Sequence, residues 1–381
     1  MKSTGLNIVA DENIPALERL FGHLGEIRKL PGRTIQNSDL QHADLLLVRS
    51  VTRVDQTLLE DTPVRFVGTA TIGTDHIDTD WLKRNNIGFS SAPGCNADAV
   101  AEYVISNLLL VAGENDFRLT DKVVGIVGVG NVGRRLQQRL AKLGVKLLLN
   151  DPPRADAGEK GFVALSQLLQ QADIICLHTP LTKSGSHPSF HLLNEDNLDL
   201  IKPGAILLNA GRGPVIDNKA LLDWHCKRND VTLLLDVWEA EPVVDAHLAQ
   251  RVRIGTPHIA GYSLDGKIRG TWMLYRAFCL QQNIVPQIEL SDCLAEAGPE
   301  PEVQLQGGET LTDIVHAIYQ PEADFKHFMD SLVDAESQPL AFDLLRKNYP
   351  VRREFVAAKL SGAKPSAELA EQLSAVGFCL D

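Results

Sequence analysis

The stretch 123–151, VVGIVGVGNVGRRLQQRLAKLGVKLLLND, constrains the fold of this chain more than any other. An apolar run ends in Gly128, Gly130 and Gly133, a helical pattern follows, and a second apolar run closes on Asp151. That pattern predicts a strand, a tight turn, a helix and a second parallel strand. Gly128 permits the turn, Gly130 lets a pyrophosphate approach the backbone, and Gly133 lets the helix pack closely on the strand. Asn131 and Val132 open the helix, whose free N–H groups and positive dipole end favour an anion. Asp151 lies 18 residues beyond Gly133, close to the roughly 20 at which an acid meets a ribose 2′-hydroxyl. The expected cofactor is therefore NAD. Arg154 offers a cation to a 2′-phosphate, a lesser reading because the Asp151 carboxylate comes first. Glycine-rich turns also occur without any ligand, but here strand, helix and terminal acid stand in register.

At 381 residues the chain is too long for one ordinary core, and two or three domains are expected. A net charge of −12 argues against nucleic acid and anionic membranes as partners, since both are polyanions. An anionic small substrate then needs a local basic cluster. No apolar run approaches the ~20 residues of a membrane span, and the N-terminal MKSTGLNIVADEN has no signal-peptide core. Six cysteines form no CxxC pair and no zinc-ligand spacing. Reduced thiols, no metal and a cytoplasmic location are the expectations.

Upstream, LNIVA, ADLLLVRS and VRFVGTATIGTDHID are apolar runs that give way to small polar residues, the rhythm of parallel strands whose C-terminal ends carry a site. Arg49, Ser50, Thr69, Thr71 and Gly73 sit at those ends, where they suit an anion, although ordinary loop polarity explains them as well. SSAPGCNADAVAEYVISNLLLVAG turns strongly helical after Pro93-Gly94, with Asn96 as its expected cap, and connects two domains. Beyond Asp151 the strand–helix rhythm resumes through ADIICLHTP, GAILLNAGRG and TLLLDVWEAEP, then RIGTPHIAGYS and a helical LDGKIRGTWMLYRAFCLQQ. The expected class is α/β, with two doubly wound parallel-sheet domains of Rossmann type, the nucleotide domain inserted in the substrate domain. The boundaries expected are 1–95 with 258–285 for the substrate domain and 96–257 for the nucleotide domain. The tail 286–381 is richer in Glu, Gly and Pro, with one short strand, EVQLQ, and several helical patterns. It is expected to be a small α/β oligomerisation domain.

Three residues carry the chemistry: Arg212 in NAGRGPVID, Glu241 in DVWEAEP and His258 in TPHIAG, each just after an apolar run. Oxidising an alcohol beside a carboxylate needs a cation for the carboxylate and a base for the hydroxyl proton. Arginine suits the first through its planar, always charged fork. Histidine suits the second because it titrates near working pH, and a neighbouring carboxylate fixes its tautomer and favours the imidazolium. Each residue alone has an ordinary structural explanation; their shared position at strand ends, downstream of a dinucleotide fingerprint, gives the set its meaning.

GIVGVGNVGRR, HTPLT, KPGAILLNAGRGPVID, LLLDVWEAEP and TPHIAGYS together resemble the D-isomer-specific 2-hydroxyacid dehydrogenases. The resemblance implies NAD-dependent oxidation of a 2-hydroxy acid, and VADENIP, SAPGCNADAVAEYV and the tail's LRKNYPVRREF narrow it to a small phosphorylated one. It implies Arg212 at the substrate carboxylate, His258 as acid/base and Glu241 as its partner. Gly128 to Gly133, Asp151, Thr179, Ala210, Gly211, Asp236 and Gly261 would line NAD, while Ser50, Thr71 and Tyr262 would contact substrate. It further implies a homodimer formed through the tail. Pro214 departs from the residues usual in the family after the Arg-Gly pair, and leaves that pair intact. The substrate phosphate needs a cation: Arg49 is one candidate, and Arg346, Lys347, Arg352 and Arg353 form a basic island in an acidic chain. The competing readings are an enzyme for 3-phosphoglycerate or another D-2-hydroxy acid, and an NADH-sensing protein without turnover.

Overall fold

A computed structural model describes residues 5–332, 334 and 336–380, which form two compact units. One runs to Asn96 and resumes over Ser263–Pro299; the other holds Ala97–Tyr262 and the chain from Glu300 onwards.

The first unit is built on a parallel five-stranded sheet of β1 (Leu6–Asp11), β2 (Gly25–Leu30), β3 (Leu45–Val48), β4 (Phe66–Thr69) and β5 (Gly88–Ser90). Their order is β2-β1-β3-β4-β5. Every residue of β3 and β4 is buried, as a parallel strand covered on both faces requires. The helix Leu264–Gln281 completes this unit, sending Ile268, Leu274, Tyr275 and Phe278 into the core with Phe21 and Phe66. Ser263 caps it, its Oγ accepting from Gly266 N at 2.9 Å.

The second unit carries the parallel strands β6 (Val123–Val127), β7 (Lys146–Asn150), β8 (Ile174–Leu177), β9 (Ile206–Asn209), β10 (Thr232–Leu235) and β11 (Ile254–Gly255). They lie in the order β7-β6-β8-β9-β10-β11. A single bridge, Leu149 to Phe162, extends the sheet beyond β7. Strand order reverses between β6 and β8, the crevice where open α/β sheets bind ligands. The helix Ala97–Glu114 lies deep in this unit, with 14 of its 18 residues buried. The cap expected of Asn96 is not made: its Oδ1 accepts no hydrogen bond among the described residues, so burial rather than a side-chain cap secures this helix. Its acids Asp98 and Glu102 face the buried Arg139, at 2.6 and 3.4 Å, from the helix Asn131–Lys142.

From Glu300 the chain forms β12 (Glu302–Leu305), parallel to β13 (Lys359–Gly362), with helices Leu311–Ile318, Pro321–Asp330, Gln338–Lys347 and Ala367–Val376. This segment shares the core of the six-stranded sheet. Leu305, Ile314, Val315, Tyr319, Phe355, Leu373, Val376 and Phe378 belong to one buried cluster with Val124, Leu136 and Ile174. Phe328 stacks on Trp238 at 5.2 Å. None of the six cysteines is disulfide-bonded, and Cys95, Cys176, Cys279 and Cys293 are buried. Among the described residues no helix is long and apolar enough to cross a membrane.

Because these side chains complete a shared core, a chain ending at residue 299 is expected to lose cooperative unfolding of the second unit and to bind a hydrophobic dye. A truncated protein that melts in one transition at the full-length temperature refutes this.

Candidate functional site

The second unit gathers the candidate cofactor residues around the C-terminal ends of β6, β7 and β8. Gly128 has φ +84°, and a Cβ there would lie 2.8 Å from Thr179 N, so the glycine turn packs directly on the chain leaving β8. At Gly133 a Cβ would lie 2.0 Å from the carbonyl oxygen of Gly128; only glycine lets the helix start this close to the turn. Gly130 faces open space and caps the helix Asn131–Lys142 without any side-chain cap bond, leaving the first-turn N–H groups of that end, where Asn131 and Val132 stand, to a ligand. Asp151 follows β7, its Oδ2 accepting from Val129 N at 2.8 Å and its Oδ1 from Arg154 N at 3.2 Å. Arg154 is already engaged: Nη1 donates to Val129 O at 2.7 Å and the fork pairs with Glu159.

Beyond β8, the Thr179 hydroxyl and both ring nitrogens of His178 are buried without a hydrogen-bond partner among the described residues. Burial pushes the His178 imidazole down to about 4, so it is neutral at physiological pH. A buried polar group left unpaired is costly unless a ligand completes it. The open glycine turn, the unpaired hydroxyl and an acid at the end of β7 together fit a dinucleotide. His178 was not among the residues singled out from sequence; its place in HTP directly after a buried strand was the available signal.

Ala210, Gly211 and Arg212 form the turn after β9. Asn209 shapes it, its Oδ1 accepting from Gly211 N at 3.0 Å and its Nδ2 donating to Arg212 O at 3.0 Å. Arg212 Nη1 donates to Gly211 O at 2.9 Å.

His258 stands in a loop held by one buried acid. Asp236, at the end of β10, accepts from Thr256 Oγ1 and Ile259 N at 2.7 Å each and from Ala260 N at 3.0 Å. Its carbonyl oxygen takes His258 N at 2.7 Å. Burial raises the Asp236 carboxyl against the charge of His258 and these donors. Within this frame His258 adopts φ 57°, a left-handed conformation rare for a residue with a Cβ. Its Nδ1 lies 2.5 Å from Glu241 Oε1, and Glu241 Oε2 accepts from Trp238 N at 3.2 Å. Burial works to raise the Glu241 carboxyl, but the His258 charge and hydrogen bond and the Trp238 N–H outweigh it and hold the group below its ordinary value. With Nδ1 bound to an ionised carboxylate, Nε2 is the open position; it makes no hydrogen bond among the described residues. Gly261 and Tyr262 continue the same loop, Tyr262 N donating to Ile259 O at 2.8 Å.

The basic island of the tail divides. Arg352 and Arg353 are buried, and Arg352 Nη2 donates to Ala99 O at 3.2 Å and to Ala260 O at 2.5 Å, bracing the His258 loop from behind. Arg346 and Lys347 end the helix Gln338–Lys347, and the Arg346 guanidinium lies over the Tyr262 ring, 5.5 Å from its centre.

In the first unit, Arg49 Nε lies 3.2 Å from Asp11 Oδ2, a carboxylate shut off from solvent, at the reversal between β1 and β3. Ser50 is exposed beside it. The Thr71 hydroxyl donates to Gly73 O at 2.9 Å and sits 2.7 Å from Thr69 Oγ1, itself 2.9 Å from His76 Nε2. His191, Asp217 and Glu239 cluster with metal-ligating atom types, but Asp217 caps the helix Asn218–His225 and Glu239 binds Asn218 N at 2.9 Å. Those bonds account for the cluster as a brace between loops.

The family model described as the NAD-binding domain of D-isomer-specific 2-hydroxyacid dehydrogenases matches residues 112–260, and one described only as a domain of unknown function matches 300–377. Erythronate-4-phosphate dehydrogenase of Pseudomonas entomophila is 50% identical over 97% of this chain and 98% of its own. The protein of that name from Proteus mirabilis is 48% identical over 98% and 99%. Among solved structures, the NAD-bound 3-phosphoglycerate dehydrogenase of Entamoeba histolytica superposes with a TM-score of 0.62 at 21% identity, over 75% of this chain and 99% of that one. The D-lactate dehydrogenase of Aquifex aeolicus gives 0.59 at 23%, over 77% and 99%. At that identity the likeness shows the fold, the expected pair of Rossmann-type sheets.

Gly133→Ala places a methyl against the Gly128 carbonyl. It is expected to destabilise the fold by about 1–3 kcal/mol, the usual cost of overpacking, and to weaken NADH binding roughly tenfold, read by fluorescence titration. An unchanged melting temperature and an unchanged NADH affinity would refute this account of the turn.

Proposed function

We propose residue roles from the premise that this chain belongs to the erythronate-4-phosphate dehydrogenases, within the D-isomer-specific 2-hydroxyacid dehydrogenase family. The chain is an NAD-dependent dehydrogenase. Its reaction is the oxidation of 4-phospho-D-erythronate to 3-hydroxy-2-oxo-4-phosphooxybutanoate, a step of vitamin B6 biosynthesis. NAD, when bound, accepts the hydride that leaves C2.

The remaining chemistry falls to side chains. Arg212 binds the substrate carboxylate through its planar fork. His258 takes the C2 hydroxyl proton on Nε2 as the carbonyl forms. The ionised Glu241, bound to Nδ1, keeps Nε2 as the accepting nitrogen and favours the imidazolium that results. Asp236 is a positioning residue, since its carboxylate acts through the backbone of the His258 loop. Asp151 binds the adenosine ribose and, with Arg154 engaged by Glu159, supports NAD over NADP. The glycine turn with Asn131 and Val132 takes the pyrophosphate, Thr179 adds a hydroxyl, and Ala210, Gly211 and Gly261 line the cofactor with backbone. Tyr262, Ser50, Thr71 and Arg49 contact substrate. The observation that carries this reading is the Glu241–His258 pair with its open Nε2, in the unit that holds the glycine turn.

The test is NADH absorbance on mixing protein and NAD with 4-phospho-D-erythronate, 3-phosphoglycerate or D-glycerate. A signal confined to the first substrate is expected. His258→Ala should lower kcat by about 10²–10⁴. Glu241→Gln should lower kcat by less than His258→Ala, because the imidazole keeps a hydrogen-bond partner at Nδ1 but loses its counter-charge. Turnover of all three acids would refute the substrate reading; undiminished turnover by His258→Ala would refute the base.

We further propose a cytoplasmic homodimer formed through the tail. Leu340, Leu344, Val351 and Val356 are exposed apolar side chains of this segment, the kind of surface that a partner covers. Leu340→Glu with Leu344→Glu should halve the mass measured by light scattering. A monomeric wild type, or a dimer unaffected by the pair, refutes this.

A further inference from the structure

Arg346 differs from the other shielded arginines of its unit. Arg139 has Asp98 and Glu102, Arg154 has Glu159, and Arg352 gives Nη2 to two carbonyl oxygens although its Nε and Nη1 make no bond among the described residues. The Arg346 guanidinium makes no hydrogen bond or ion pair among the described residues, and its Nε is closed off from solvent with no acceptor. Its nearest company is aromatic: it lies 5.5 Å from the ring centre of Tyr262 and 6.0 Å from that of Phe342. Tyr262 is further enclosed by Tyr349, edge-on at 5.8 Å. Its charge reaches the Glu241 carboxylate, which places it within electrostatic range of the proposed acid–base pair.

An aromatic face offsets only part of the cost of desolvating a guanidinium. The buried Nε–H still lacks an acceptor among the described residues, and the half-buried fork is open to an anion. On the reading proposed above, the substrate carries an anionic group at each end, and Arg212 takes the carboxylate. Arg49 is the other cation considered for the phosphate, but it already faces the buried Asp11 carboxylate; Arg346 has no such counter-charge.

We propose that Arg346 is the specificity-determining ligand of the substrate phosphate, its plane set by Tyr262 and its placement by the helix Gln338–Lys347. This inference rests on the proposed reaction and gives the tail a role in choosing the substrate. The fork binds two phosphate oxygens, and its place over the Tyr262 ring restricts it before the anion arrives, so less rotamer freedom is lost on binding.

The test compares wild type, Arg346→Ala and Arg346→Lys on 4-phospho-D-erythronate and on D-erythronate, which lacks the phosphate. Arg346→Ala should lower kcat/KM for the phosphorylated acid about 100-fold, mostly through KM, as expected on removing one partner of a buried charged contact. Its effect on D-erythronate should stay below about threefold, with Arg346→Lys intermediate on the phosphorylated acid only. Competitive inhibition by inorganic phosphate should weaken roughly tenfold in Arg346→Ala, which decides the matter if D-erythronate turns over too slowly. Unchanged NADH affinity and melting temperature exclude misfolding. Equal losses on both substrates, a loss confined to kcat, or unchanged phosphate inhibition would overturn the inference. A wild type that does not reduce NAD with 4-phospho-D-erythronate strikes the parent reading instead.

Discussion

A single buried carboxylate holds the site in the second unit. Asp236 accepts from the Thr256 hydroxyl and from two successive backbone N–H groups, Ile259 and Ala260, and those three bonds force the chain through a left-handed turn at His258. A non-glycine residue in that conformation costs about 1 kcal/mol or more and persists only where its surroundings over-determine it. Here the surroundings include Arg352, whose guanidinium takes the Ala260 carbonyl from the opposite side, and Trp238, whose Nε1 donates to Thr256 O at 3.0 Å. The imidazole is thus placed by backbone geometry, with the Glu241 carboxylate 2.5 Å from its Nδ1.

The same loop explains why the tail belongs to the second unit. Phe328 stacks on Trp238, Arg352 holds the His258 loop, and the Phe355 N–H donates to Glu102 Oε1 at 3.0 Å. Glu102 is fully enclosed, and burial pushes its carboxyl up to about 8 despite Arg139. The tail therefore contributes packing and hydrogen bonds beneath the proposed acid–base pair, as well as the unpaired cation beside Tyr262.

Much of the fold was legible in the sequence because buried parallel strands are unbroken apolar runs and their C-terminal ends turn abruptly small and polar. The glycine turn was legible to the residue, since Gly128 and Gly133 answer backbone constraints that no other side chain meets. The pairing of Glu241 with His258 was legible, and the two lie 2.5 Å apart, but the bonds by which Asp236 holds the loop were not. An acid after a buried strand looks the same whether it faces a ligand or its own backbone. The Arg49–Asp11 pair was hidden for a similar reason, as the two residues stand 38 positions apart on neighbouring strands.

What the sequence determined by itself was the chemistry and the class of fold, because both depend on local patterns: periodicity, turn glycines, and residue types at strand ends. What only the tertiary structure decided was which charges have partners. A run such as LRKNYPVRREF reads as a basic island on a solvated face, yet Arg352 and Arg353 lie buried and Arg346 stands over an aromatic ring with no hydrogen-bond partner for its Nε among the described residues. Pairing of a charge depends on groups brought close through space from distant parts of the chain, and sequence spacing carries no record of that distance.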